Sequence, residues 1–196
     1  SKVGIAGKDD KAKVDILQLI DGTTQPISGS LEKDSDKTCL AYNPLIPKTC
    51  NGRTVEEYLK SYVVKGGDGK STSADVMVAE ALDDAAISTN KRTALISELE
   101  DNEKARLQLA TAILQSPDVL LLDNPTRTKN GVYSDEDIKK MIEMILKFRK
   151  TCVVNSSDAD FLNSFSDNVL HVSSDGQVEL FIGSYTSAQN MLAERA

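Results

Sequence analysis

Apolar and polar residues change their spacing along the chain, and each change marks an element. Lys2 to Ala6 is a short apolar run that predicts a strand. Ile16, Leu17, Leu19 and Ile20 then recur at helical spacing up to Gly22, a residue suited to stopping a helix. Asn51 to Val64 predicts a helix, opened by Thr54 with Glu57 three residues on, the spacing of a capping box. Val76, Val78, Ala79 and Leu82 make Ala74 to Ala86 helical by period, and Ile87 to Leu95 is a polar connection. Ala105, Leu109, Ala112 and Ile113 predict a helix over Glu103 to Leu114, stopped at Pro117. Val119 to Leu122 is continuously apolar and ends in Asp123, the pattern of a strand buried on both faces of a parallel sheet.

Ser134 caps the next helix, with Asp135, Glu136 and Asp137 in a first turn that favours negative charge. Ile138, Met141, Ile142, Met144, Ile145 and Phe148 form its buried face, where a methionine stripe reads as core. Lys147, Arg149 and Lys150 close it with cations. Asn168 to Val172 and Gln177 to Phe181 predict two strands about the turn Ser174-Asp175-Gly176.

A chain of 196 residues with 40% hydrophobic content can bury one sizeable core. The net charge of −7 disfavours direct, nonspecific nucleic-acid binding. Cys39, Cys50 and Cys152 are odd in number and lack metal-site spacing, which reads as reduced thiols in a cytosol-like compartment. His171 sits in an alternating run and reads as an ordinary strand residue. No apolar stretch approaches the roughly 20 residues of a membrane span, and Ser1-Lys2-Val3-Gly4 is no signal peptide.

Candidate chemistry collects at three places. The phosphate-loop pattern G-x-x-x-x-G-K-[ST] lays onto Gly7, Ala12, Lys13 and Val14, in the strand, loop, helix context that it requires. Gly7 and Lys13 are present; the second glycine, which lets backbone N–H groups wrap a phosphate, and the Mg²⁺-binding hydroxyl are not. Asp9 and Asp10 also face the phosphate position, so this segment reads as a solvated loop. Gly69-Lys70-Ser71-Thr72 copies the end of such a loop, but Val64 stands where its first glycine belongs, and Lys65 to Thr72 reads as a polar connection. Asp123 lies at the carboxyl end of its strand, where open α/β sheets bind ligands.

The stretch from Glu98 to Thr126 resembles the ATP-binding-cassette (ABC) nucleotide-binding domain, and within it the ABC-F translation-factor branch. The serine and two glycines of that family's signature fall on Glu100, Asp101 and Asn102, ahead of the helix Glu103-Lys104-Ala105-Arg106. The strand Pro117 to Thr126 carries Asp123 at the Walker B acid and Asn124 at the catalytic glutamate. Cys39 to Ile46 resembles the strand into the Q-loop, with Leu45 after Pro44 where the family has its glutamine, and Arg127 to Asn130 replace its D-loop. Ser156-Ser157-Asp158 followed by Phe161-Leu162-Asn163 is similar to the branch's serine-histidine-aspartate box, with Ser157 at the switch histidine. Phe181-Ile182-Gly183-Ser184-Tyr185 is similar to the box before its interdomain linker.

The resemblance implies an α/β, P-loop NTPase-like fold: a mostly parallel sheet flanked by helices, with a helical subdomain over about residues 50–115 and a linker helix starting at 186–196. The chain is then a single cassette over 1–196. Family members place an antiparallel β-subdomain with an adenine-stacking aromatic ahead of the phosphate loop, and here only Ser1 to Ala6 precede it. Either the sequence is a piece of a longer protein or that platform is gone. Since the family pairs one phosphate loop with the partner's signature, the changes imply a pseudo-ATPase. No catalytic residue, metal or cofactor is expected, Mg·ATP binding is disfavoured, and Gly7, Lys13, Val14, Asp123, Glu100, Asp101 and Asn102 are vestiges. Protein partners are implied, at the ribosome or another ABC cassette, in the cytoplasm. The alternative is a working or nucleotide-sensing ATPase using Lys13, Asp123 and Asn124, or Lys70 and Ser71.

Overall fold

The computed structural model describes residues 1–32, 34–63, 73–128 and 131–195, which fall into two compact units. The first comprises Ser1–Ala41, Pro117–Val132 and Phe148–Ala196. Its six-stranded sheet has the order β2 (Cys39–Ala41), β3 (Val119–Asp123), β6 (Thr151–Asn155), β1 (Lys2–Gly7), β7 (Asn168–Val172), β8 (Val178–Ile182). All neighbours are parallel except β7 and β8. Leu120, Leu121 and Leu122 are buried, as the apolar run predicts for a strand covered on both faces.

Helix α1 (Asp10–Asp21) lays Leu17 against Ile5, Leu121, Val153 and Val172, with Ile16 and Ile20 at the margin. Gly22 ends it in the left-handed conformation at φ 88° and returns its N–H to Gln18 O. α6 (Ala159–Phe165) buries Phe161, Leu162 and Phe165, and α7 (Tyr185–Ala193) buries Ala188. The side-chain oxygen of Asn163 accepts from Thr186 N at 2.9 Å, which ties α6 to the start of α7. Beyond β3, β4 (Arg127–Thr128) and β5 (Gly131–Val132) pair antiparallel as a small ribbon. Lys129 and Asn130, half of the segment at the D-loop, lie outside the described residues. Phe148 is buried within this unit, one residue beyond the helix whose face it was expected to join. β8 runs one residue later than the expected Gln177 to Phe181.

The second unit, Tyr42–Ser116 with Tyr133–Lys147, is helical. It contains α2 (Val55–Lys60), α3 (Ala74–Asp84), α4 (Asp101–Leu114), α5 (Asp135–Lys147) and three short 3-10 turns. The Thr54–Glu57 capping box at α2 is present: Glu57 N bonds Thr54 Oγ1 at 3.3 Å and Thr54 N bonds Glu57 Oε2 at 3.1 Å. Met141, Met144 and Ile145 are core. α4 differs from its expected one-sided face, because Leu107, Ala110 and Thr111 are buried along with Ala105, Leu109 and Ala112. It also starts two residues early, so Asp101 and Asn102 form its first turn and Glu100 its N-cap.

Candidate functional site

The carboxyl ends of β1, β3 and β6 lie side by side in the first unit, with Ile5 and Asp123 both in register with Asn155. After β1 the chain does not open into a loop. Gly7 ends the strand, Asp9 is an N-cap, and α1 begins at Asp10. The expected solvated loop over residues 7–14 is therefore replaced by helix: Asp9 Oδ1 accepts from Ala12 N at 3.0 Å, and this local hydrogen bond nucleates the first turn. Val14 lies inside α1.

Two residues of the phosphate-loop pattern hold structural positions. Gly7 has φ +144°, and a Cβ there would come within 2.3 Å of Val172 O on the neighbouring strand, so only glycine fits. Lys13 is 1% exposed, and its Nζ pairs with Asp10 Oδ1 at 2.8 Å. The hydrogen bond from Lys13, then its charge, holds the Asp10 carboxyl below the ordinary aspartate value, with Arg127 adding to the effect.

At the end of β3, Asp123 Oδ1 accepts from Asn155 Nδ2 at 2.7 Å and from Asn124 Nδ2 at 3.0 Å. Asn124 sits in the left-handed region at φ 44°, which asparagine tolerates, and its N–H bonds Asn155 O at 2.8 Å. Asn155 is fully buried, and its Oδ1 has no hydrogen-bond partner among the described residues. Neither role of Asn155 was legible in the sequence; the signal is a polar residue closing the apolar run Cys152 to Val154. Ser157 is exposed. Its neighbours are structural, since Ser156 Oγ accepts from Asp158 N at 3.1 Å and Asp158 N-caps α6 through Phe161 N at 3.0 Å.

In the second unit, Glu100, Asp101 and Asn102 open α4. Glu100 N bonds Glu103 Oε2 at 3.0 Å, and Lys91 Nζ bonds both Glu103 oxygens at 2.8 Å. Burial works against the Glu103 charge, but the bonds from Lys91 and Glu100 outweigh it and lower its pKa. Asn102 Nδ2 bonds Asp137 Oδ2 at 3.1 Å, beside a buried Arg106–Asp137 ion pair. That pair, which pins α4 to α5, escaped the sequence reading because 31 residues separate its members. Leu45 is bound through its backbone, its N–H to Asn43 Oδ1 at 2.9 Å and its carbonyl to Gln108 Nε2 at 3.0 Å. Lys70 and Ser71, with the whole of Lys65 to Thr72, lie outside the described residues.

Among the described residues no group of three or more His, Cys, Asp or Glu side chains converges as for a metal, and no helix is long and apolar enough to cross a membrane. His171 pairs with Glu179 across the β7–β8 ladder, and its ring lies 6.5 Å from that of Phe181.

Comparison with known proteins extends the geometry. Residues 1–127 match the ABC transporter family. The chain is 26% identical over 171 residues to the NU+ prion formation protein 1 of Saccharomyces cerevisiae, covering 87% of this chain and 13% of that protein. It is 25% identical over 184 residues to the energy-dependent translational throttle protein EttA of Escherichia coli, covering 94% of this chain and 32% of EttA. It thus spans about a third or less of these curated relatives. Among solved structures, an archaeal ribosome recycling factor, aABCE1, crystallised with the ribosomal stalk protein aP1, superimposes with a TM-score of 0.70 at 21% identity. That match covers 98% of this chain and 36% of aABCE1, and it is a likeness of fold.

Proposed function

The chain belongs to the ABC transporter family, and from that premise we propose that it is a cassette that works without nucleotide turnover, as a protein-interaction or scaffolding module of a cytoplasmic, translation-associated factor. The observation that carries the proposal is Asp9 at the start of α1. The free N–H groups of a helix start are what a phosphate-binding loop offers its anion. Here the Asp9 carboxylate takes the N–H of Ala12, and Asp10 takes the ammonium of Lys13.

A phosphate brought to that point meets like charge. One such contact at about 4 Å costs about 1 to 4 kcal/mol between the limits of bulk water and a partly screened surface. Val14 offers no oxygen to Mg²⁺, and two amides already occupy Oδ1 of Asp123. Asn124 stands where the family has its catalytic glutamate, and loss of one general base lowers a rate about 10²- to 10⁴-fold. The residues present do not fit Mg·ATP, and we derive no hydrolytic step through it.

The translational setting rests on the relationship to EttA, whose name describes a translational throttle. The net charge of −7 favours protein contacts over nonspecific attraction to nucleic acid. Protein partners at the ribosome, or a second ABC cassette, are the proposed occupants.

Isothermal titration with Mg·ATP and Mg·ADP, with phosphate release measured in parallel, tests the reading. No saturable binding and no turnover are expected. Saturable micromolar binding with turnover overturns it, and Lys13→Ala and Lys70→Ala then assign the activity to the α1 site or to the 65–72 segment. Ribosome co-sedimentation that is the same with and without ATP is the expected partner result.

A further inference from the structure

β8 is one edge of the six-stranded sheet, and it carries an apolar stripe that is half or more exposed. Val178, Leu180 and Ile182 are 50%, 57% and 79% exposed, and residues two apart in a strand share a face. The phase of the β7–β8 ladder places their backbone as well. Ser173 N bonds Gln177 O and Gly183 N bonds Asp167 O, each at 2.9 Å. Odd-numbered residues of β8 therefore face β7, and by alternation the even-numbered ones turn N–H and C=O to the open edge. Natural edges are blunted by lysine, proline or a bulge. The strand Val178-Glu179-Leu180-Phe181-Ile182 has none of these, and its neighbours pair without interruption.

We propose that β8 pairs with β8 of a second copy of this chain, antiparallel about a two-fold axis at Leu180, to join two sheets into one. The strand is self-complementary in that register. Leu180 meets the partner's Leu180 and Val178 meets the partner's Ile182, so the apolar stripe is continuous and the outward N–H and C=O groups bond in pairs. Charge fits too. On the opposite face Glu179 falls across from the partner's Phe181. Arg195 lies over Phe181, 5.5 Å from the ring centre, and bonds Glu179 at 2.6 Å. Each Arg195 is thereby placed between its own Glu179 and the partner's Glu179. Sliding the register by two residues toward Val178 sets the two Glu179 carboxylates opposite one another, which cross-strand pairing disfavours.

One short strand from each copy is a small interface, so the expected dissociation constant is on the order of 10 to 100 µM. The proposal is independent of the nucleotide reading. Sedimentation velocity of the whole chain over roughly 1 to 500 µM tests it, a range that brackets that constant. The mass should rise from that of the 21.3 kDa monomer toward the dimer. Leu180→Lys, which places two ammonium groups at the axis, should weaken association by about tenfold or more. Arg195→Glu should weaken it as well, and adding Glu179→Arg should restore it. These two residues are 59% and 50% exposed as side chains, so that pair of changes keeps the test available if Leu180→Lys does not fold. Amide protection of Leu180 should grow with concentration. A monomer at every concentration overturns the proposal, and so does a dimer that all of these variants leave unchanged.

Discussion

Asp137→Ala is the substitution whose consequence the helical unit defines most sharply. Arg106 is 4% exposed and Asp137 8%. Besides its ion pair with Arg106, Asp137 accepts from Ser134 Oγ at 2.6 Å and Asn102 Nδ2 at 3.1 Å. Burial pushes the Asp137 pKa up, but the hydrogen bonds from Ser134 and Asn102 and the Arg106 charge outweigh it and hold the carboxyl below the usual aspartate value. Removing the carboxylate strands a buried guanidinium that keeps the bond from its Nε to Ala85 O at 2.8 Å. Breaking a buried pair from one side costs about 3 to 5 kcal/mol, against a typical total stability of about 5 to 15. With a urea m-value near 2 kcal/mol/M, the midpoint followed by circular dichroism should fall by about 2 M. The double change Arg106→Met with Asp137→Leu leaves no stranded charge and should cost less than about 2 kcal/mol. A single-variant cost below about 1 kcal/mol, or a double variant as unstable as the single one, refutes this reasoning. The pH dependence has a defined sign. A carboxyl whose folded pKa is depressed contributes stability above its unfolded value of about 3.9 and loses it as pH falls through the folded value. The gap between wild type and Asp137→Asn should therefore narrow below about pH 4.

Four further outcomes concern the start of α1, Gly7 and the thiols. Lys13→Met keeps the buried volume and removes the charge, so the urea midpoint should move by less than about 1 kcal/mol of stability; a larger loss means that the Asp10 pair is needed to hold α1. Gly7→Ala puts a Cβ against Val172 O at positive φ, and thermal denaturation should show a loss of about 2 to 4 kcal/mol. Ala12→Gly with Val14→Ser should leave Mg·ATP titrations flat, because Asp9 still caps α1; binding by that pair alone refutes the role given to Asp9. Burial pushes the Cys152 thiol up to about 12, so alkylation near pH 8 should spare it until urea unfolds the chain, while half-buried Cys39 and Cys50 react.

Much of the sheet was legible because burial on two faces leaves a plain trace. Val119 to Leu122 has no polar residue, and it forms β3 with only Asp123 added. Thr54, Ser134 and Gly22 were legible as caps because each acts on residues within four positions. Where the pattern misled, a longer template overrode a shorter one. The spacing of Gly7, Ala12 and Lys13 suggested a phosphate loop, yet Asp9 followed by Asp10-Lys11-Ala12-Lys13 is itself a good helix start, and the hydrogen bond to Ala12 N is the shorter-range event. α4 misled differently. Its charged residues mark a solvent face only if they are solvated, and Arg106 and Glu103 are buried because Asp137 and Lys91 meet them there. The contact between Asp123 and Asn155 depends on the β3–β6 register, which two positions 32 apart in sequence do not encode locally.

A residue at a motif position can also serve the packing of its own chain, and the contacts at each position show what that packing role is. Gly7 is required by Val172 O whether or not a phosphate is ever bound. Lys13 is held by a carboxylate of its own helix, and Asp123 by two amides that share one oxygen. Asp158 caps α6 and Asn163 ties α6 to α7. Each of these residues therefore has a packing or capping role within its own unit. The Oδ1 of Asn155 has no partner among the described residues, and a fully buried acceptor without one costs about 1 to 3 kcal/mol. The Asp123 carboxylate explains that cost: its second bond, to Asn155 Nδ2, orients the amide, and turning the amide over to satisfy Oδ1 would set oxygen against oxygen. Asp123 therefore dictates its surroundings through a hydrogen bond within the chain.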